Sequence, residues 1–326
     1  MKALTCDYVG NIPSLTIKDA PVPKVAPGQV RIRVKAAGLN YADLMRIDGT
    51  PPFTTGESFI PGFEASGMVS AVGEGVSRYK IGDRVAAFAY FTLGAFAEEM
   101  TAQSSFVMPL PETMSFIDGA GIMVAYGTVY YGLARRAQLR AGETLVVHGA
   151  TSSTGLAAVQ TGKALGGRVI AIGRDDEKLR LATEAGADMV ININQHSPGN
   201  AIMAATGGHG ADAIFDLVGG DILGNCFSYL RKGGRVVCIG SASVIETKIP
   251  LVPAMVANCD MHFISLYNFA EMHHADMQED FVLFSKWLAE GKITNPVTHL
   301  CSLVDAPDVI GKFRERAIIG KIVIVP

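Results

Sequence analysis

Closely spaced cysteines are missing from this chain of 326 residues. Cys6, Cys226, Cys238, Cys259 and Cys301 lie far apart and form no C-x-x-C pair, which excludes a disulfide framework and a cysteine-built zinc knuckle. The odd, scattered set reads as reduced, buried thiols of a cytoplasmic protein. An excess of either charge is also missing. With a formal net charge of −3, nothing favours nucleic acid or an anionic membrane as the main partner. No apolar run reaches the roughly 20 residues that a membrane helix requires. The opening Met1-Lys2-Ala3-Leu4-Thr5-Cys6-Asp7 meets polar and acidic residues too early for a secretory signal. Hydrophobic residues make up 49% and charged residues 18%, enough apolar material for a large buried core and too little charge for a disordered chain.

The first third carries strand-like runs separated by glycine and proline. Residues 29–36 alternate apolar and basic side chains, the period-two pattern of a half-exposed strand. Residues 66–72 and 82–88 flank a turn at Gly73-Glu74-Gly75, which suggests a β-barrel-like unit. A helical stretch over 115–136 follows. From about Thr144 the texture changes to alternating strands and helices. Strands are expected at 144–150, 168–173, 189–192, 211–219, 235–240 and 262–266, and helices at 155–165, 176–185, near Asn200 and at 221–230. These apolar, β-branched strands fit a parallel sheet covered by helices on both faces, the doubly wound nucleotide-binding pattern. Helices at 281–290 and 306–316 and a strand at 320–325 complete the chain. They are too few to form a domain and return to the first one.

The sharpest motif is His148-Gly149-Ala150-Thr151-Ser152-Ser153-Thr154-Gly155, a strand, a tight turn and a helix start. A dinucleotide pyrophosphate requires bare backbone N–H groups at a helix N-terminus. Gly149 and Gly155 hold the expected spacing, while Ser152 stands where the middle glycine would be. Ser152, Ser153 and Thr154 can bind phosphate, or Ser152 or Ser153 can cap the helix. The next strand ends in Gly173-Arg174, with no acid there to hold an adenosine ribose. Gly173 would leave room for a 2′-phosphate, Arg174 offers it a planar fork, and Lys178 adds a second positive charge. NADPH is therefore favoured over NADH. The acids Asp175, Asp176 and Glu177 read as the opening of the following helix.

Together with Ala37-Gly38-Leu39-Asn40-Tyr41-Ala42-Asp43, Pro61-Gly62-Phe63-Glu64-Ala65-Ser66-Gly67, Gly82-Asp83-Arg84-Val85, Phe215-Asp216-Leu217-Val218-Gly219 and Gly320-Lys321-Ile322-Val323, this loop resembles the quinone oxidoreductase branch of the medium-chain dehydrogenase/reductases. The resemblance covers essentially the whole chain. It implies an α/β fold, with a doubly wound Rossmann sheet (residues 123–263) inserted in a GroES-like β-barrel catalytic domain (1–122 and 264–326). It also implies an active site in the cleft between these domains and homodimers joined through the last strand of the nucleotide-binding sheet.

Zinc-dependent relatives carry a ligand cysteine in the segment matching 38–43 and a histidine beside the glutamate matching Glu64. Leu39-Asn40 and Phe63 stand there, so no metal is expected, and His273-His274 reads as a surface pair. Hydride transfer from NADPH to quinones or α,β-unsaturated carbonyls is then the expected activity. An enoyl-thioester or alkenal reductase and an NADPH-binding protein with little catalysis are the alternatives. Asn40 is the first choice of hydrogen-bond donor to the developing oxyanion, since by resemblance it lies near the nicotinamide; a turn-capping asparagine is the alternative. Tyr41 could supply a phenolic proton, although packing is the simpler role. Thr128, Val218, Gly240 and Ser241 are expected around the cofactor, with Tyr267 and Asn268 either lining the cleft or forming a packed linker.

Overall fold

The computed structural model describes every residue except 10, 11, 51, 52, 54–57, 90, 91, 93, 241, 244, 316 and 319, with backbone alone at 8, 9, 12 and 13. It divides into two compact units, Met1–Val124 with Ala270–Pro326, and Ala125–Phe269.

In the first unit a hairpin of strands Lys2–Val9 and Ile12–Asp19 accompanies a seven-stranded sheet. The sheet centres on Gln29–Leu39, which pairs antiparallel with Lys321–Val325, Glu64–Val72 and Glu99–Gln103. The alternation expected for 29–36 is present: Val30, Ile32 and Val34 point into the core while Arg33 and Lys35 are exposed. From Ala36 the burial is continuous through Leu39, where Lys321–Val325 and Glu64–Val72 flank the strand. The strand Val297–Ser302, not foreseen in the sequence, pairs parallel with Lys321–Val325.

The second unit holds six parallel strands in the order Met189–Asn192, Arg168–Gly173, Thr144–His148, Ala211–Asp216, Leu230–Cys238, Asp260–Phe263. Strand order reverses between Thr144–His148 and Ala211–Asp216, the switch point where doubly wound sheets take their ligands. Both strands are buried along almost their whole length, which explains their unbroken apolar runs.

Several helices differ from expectation. The continuous helix over 115–136 is instead a short turn, Phe116–Gly119, then Met123–Tyr130 running into a π-type segment, Tyr131–Arg136. Gly121, in the break, is closely packed: a Cβ there would lie 2.6 Å from the Lys321 Cε and 2.5 Å from the Asn295 amide. The helix expected over 221–230 shrinks to Gly220–Gly224 and a 3-10 turn at Cys226–Ser228. Tyr267 and Asn268 lie in a helix, Leu266–Met272, within which the second unit gives way to the first. Among the described residues no helix is long and apolar enough to cross a membrane.

Candidate active site

In the first unit the chemistry gathers around a buried cation. Lys321 opens an otherwise apolar strand and is completely buried, as is Glu64. The Lys321 ammonium donates to Glu64 Oε1 at 2.5 Å, Asn40 Oδ1 at 2.9 Å and the Leu39 carbonyl at 3.4 Å, which uses all three of its hydrogens. Glu64 also accepts from Asn40 Nδ2 at 2.8 Å and from the Val124 N–H at 3.0 Å. That N–H is a first-turn donor of the helix Met123–Tyr130, with no partner inside the helix. Gly38 makes room for the cluster: a Cβ there would lie 2.7 Å from Glu64 and 2.8 Å from Lys321.

Asn40 is the N-cap of the helix Tyr41–Ile47, yet its side chain turns inward. Its second amide hydrogen goes to the Gly38 carbonyl at 3.3 Å, so both hydrogens and the oxygen are engaged within the protein. Asp43, fully buried, accepts from the backbone N–H groups of Asn40 (2.7 Å) and Phe63 (3.1 Å). Burial pushes its carboxyl up to about 7 and the Glu64 charge adds to this, against the two backbone donors and the Lys321 charge. Tyr41 is 52% exposed, so packing in the core is not its role.

The donor set does not suit zinc. Leu39 and Phe63 are buried hydrocarbon where zinc-dependent relatives would present a thiolate and an imidazole, and Asn40 is held by its neighbours. Among the described residues no three His, Cys, Asp or Glu side chains stand close enough to share an ion. His273 and His274 are exposed.

In the second unit the phosphate loop lies at the switch point. The helix Ser153–Ala164 is capped by Ser152, whose hydroxyl accepts from the Gly155 N–H at 3.1 Å and donates to the Gly149 carbonyl at 2.9 Å. Ser152 therefore closes the turn, while Ser153 and Thr154 carry the first-turn N–H groups that the helix itself cannot satisfy. Gly149 has φ +73°, and a Cβ on Gly155 would lie 2.2 Å from the Gly149 carbonyl. Both glycines are thus required by the turn. This is a cradle suited to a pyrophosphate: bare N–H groups at a helix start, with side chains excluded.

At the end of the second strand Arg174 is exposed, and its carbonyl accepts from Asn194 Nδ2 at 2.8 Å. The acids behind it are otherwise engaged. Asp175 caps the helix Asp176–Glu184 through the Lys178 N–H, and Asp176 accepts from Asn192 and Gln195. The space beside Gly173 is taken by Leu179 and Thr151, 2.9 and 3.2 Å from where a Cβ would stand. The glycine therefore admits these side chains rather than clearing room for a phosphate. The Lys178 ammonium is 3.9 Å from Asp175. Thr128 is buried, Val218 half-buried and Gly240 exposed; Ser241 lies outside the described residues.

Glu64, Asp43 and Lys321, and in the second unit His148 and Asp216, are buried polar residues whose roles the motifs alone do not indicate. Four of them are ionisable residues at the end of an apolar strand, as in Val147-His148 and Phe215-Asp216, and Asp43 lies in the helix Tyr41–Ile47. Such a residue requires a buried partner.

A parallel sheet in the order 3-2-1-4-5-6 with its phosphate cradle, and a β-rich unit around a buried Glu–Lys pair, define a medium-chain dehydrogenase/reductase. The alcohol dehydrogenase GroES-like domain matches residues 26–112 and the zinc-binding dehydrogenase family matches residues 153–286. The chain is 30% identical to the quinone oxidoreductase-like protein 2 homolog of Nematostella vectensis, over 99% of this chain and 88% of that one. It is 34% identical to the quinone oxidoreductase of Rattus norvegicus, over 70% of this chain and 69% of the other. The crystal structure of Escherichia coli quinone oxidoreductase complexed with NADPH superposes with a TM-score of 0.88 at 26% identity, covering all of both chains. The chain belongs to the quinone oxidoreductase-like medium-chain dehydrogenase/reductases.

Proposed function

We propose that this protein is an NADPH-dependent reductase of quinones and α,β-unsaturated carbonyls that works without a metal. The observation that carries this reading is the Asn40–Glu64–Lys321 cluster, a closed hydrogen-bond network beside Leu39 and Phe63, which stand where zinc-dependent relatives would present their ligands. Acceptors that take hydride without Lewis-acid help suit such a site.

In this reading Ser153 and Thr154 bind the pyrophosphate through the helix start, with Ser152, Gly149 and Gly155 shaping the turn. Arg174 pairs with the 2′-phosphate and Lys178 adds to its field. Thr128, Val218, Gly240 and Ser241 complete the cofactor-binding set. Reduced nicotinamide, when bound, supplies the hydride. Asn40 and Tyr41 serve the acceptor end: Asn40 as a wall fixed by Lys321 and Glu64, Tyr41 as the solvent-facing phenol that delivers a proton to the reduced product. The crystal structure of the Escherichia coli relative with NADPH supports the choice of cofactor.

We also propose a homodimer through the outer edge of the six-stranded sheet. Asp260–Phe263 is the edge strand there, and Phe263 and the neighbouring helix Leu251–Ala257 expose Phe263, Leu251, Val252, Met255 and Val256 by about two-thirds each. An open edge beside an apolar patch is a surface that folded proteins normally cover.

The test is NADPH and NADH oxidation with quinones, enones and enoyl thioesters, each with and without a strong chelator. Turnover of quinones or enones that prefers NADPH and survives chelation supports the proposal. Activity confined to enoyl thioesters would redirect it, and none on any acceptor would sink it.

A further inference from the structure

Beneath the phosphate cradle lies a second buried polar chain. His148 is the last residue of the strand Thr144–His148, Asp216 is the last of Ala211–Asp216, and the two are register partners on adjacent parallel strands. Both are completely buried. His148 Nδ1 lies 2.6 Å from Asp216 Oδ1, and on the far side of the ring Nε2 lies 3.0 Å from the Tyr229 hydroxyl. The second Asp216 oxygen accepts from the Gly219 N–H at 2.7 Å. A carboxylate only accepts, so Nδ1 carries the proton and Nε2 takes the Tyr229 hydrogen. Burial holds the Tyr229 phenol well above its ordinary range, so it keeps that hydrogen.

One carboxylate thus ties together the two turns that leave the sheet at its switch point. Directly after His148 the chain turns at Gly149, and directly after Asp216 it reaches Gly219 at φ +68°, ψ −157°, a conformation essentially confined to glycine. The turns also touch, since a Cβ on Gly149 would lie 3.1 Å from Val218 Cγ2 and 3.5 Å from Leu217 Cβ. A hydrophobic pair at 148 and 216 would fill the same space with no desolvation cost. What it could not do is hold the Gly219 N–H or fix one turn against the other.

We propose that His148, Asp216 and Tyr229 are positioning residues for the dinucleotide, setting the Gly149 turn and the Leu217–Gly219 turn at the separation that NADPH spans. The proposal rests on the assignment of the cofactor to the Gly149 turn. It attributes to the buried chain an effect on binding of the whole dinucleotide and none on fragments that reach only the end of the second strand.

The experiment measures dissociation constants for NADPH and for 2′-AMP, which carries the 2′-phosphate without the pyrophosphate or nicotinamide, by calorimetry on the full chain. Asp216→Ala is expected to weaken NADPH tenfold or more and to leave 2′-AMP within twofold. Asp216→Asn can rebuild the chain with the opposite tautomer: its oxygen takes the Gly219 N–H, its amide donates to Nδ1, and Nε2–H donates to Tyr229. It is expected to bind NADPH within threefold of wild type. NADPH binding by Asp216→Ala equal to wild type would overturn the proposal. So would equal losses for both ligands, which is what mere support of the fold would give. Should Asp216→Ala not fold, His148→Asn keeps a donor on Asp216 and releases Tyr229; a threefold or greater loss confined to NADPH supports the proposal, and no loss overturns it. A wild-type protein that binds neither ligand would instead refute the cofactor assignment itself.

Discussion

Replacing Lys321 with methionine removes a buried charge with little change in volume, and the structure sets the expected cost. At 2.5 Å from Glu64 and an effective dielectric of about 20, the direct attraction is on the order of 6–7 kcal/mol. Desolvation of two ions offsets most of it, so the pair adds little net stability over hydrocarbon. Breaking it is different. Glu64 would keep only the Asn40 and Val124 donors, and an uncompensated buried carboxylate costs about 3–5 kcal/mol, a large part of a typical stability of roughly 5–15 kcal/mol. Trp287 is the only tryptophan and lies buried in the same unit, so its fluorescence during urea unfolding reports on the unit that holds the pair. The double variant Lys321→Met, Glu64→Gln should recover to within about 2 kcal/mol of wild type, because a neutral amide at 64 can still meet Asn40 and Val124. A loss under about 1 kcal/mol for the single variant, or a double variant as unstable as the single, would refute the reasoning.

Asp43 gives a pH signature. Its folded pKa, pushed up to about 7, exceeds the unfolded value near 3.9. The stability it contributes is fully present below about pH 4 and is lost as pH rises through about 7. Asp43→Asn should abolish that fall, read as the difference in Trp287 unfolding midpoints across the window; an unchanged slope would contradict it. Arg174→Ala is expected to weaken NADPH about 10- to 100-fold, the scale of one charge-assisted phosphate contact, while NADH changes less than twofold; equal losses in a binding titration would count against the 2′-phosphate assignment. Phe263→Glu on the exposed edge strand should convert a dimer to a monomer by light scattering, and an unaltered mass would exclude this edge as the interface.

The doubly wound sheet was readable in the sequence because its strands are buried on both faces and its phosphate turn depends on glycines that steric contact enforces. Gly149 and Gly155 are such cases, whereas Gly173 accommodates Leu179 and Thr151 rather than the phosphate the sequence suggests. Helix boundaries were less legible. The close packing of Gly121, in the break, against Lys321 and Asn295 joins residues far apart in the chain, and no local pattern contains that information. The same holds for the site. Asn40 stood out within its motif, but its engagement by Lys321 joins residues 281 positions apart. The His148–Asp216 pair likewise becomes visible only when two strands fall into register.

The most direct test of the central claim follows the hydride itself. Chelator-treated protein is given NADPH deuterated at nicotinamide C4 and an α,β-unsaturated ketone, and the product is examined by mass spectrometry and NMR. Metal-free transfer to the conjugated acceptor predicts one deuterium at the β-carbon, at an undiminished rate after chelation. Product without deuterium, or activity restored only by adding zinc, would contradict it.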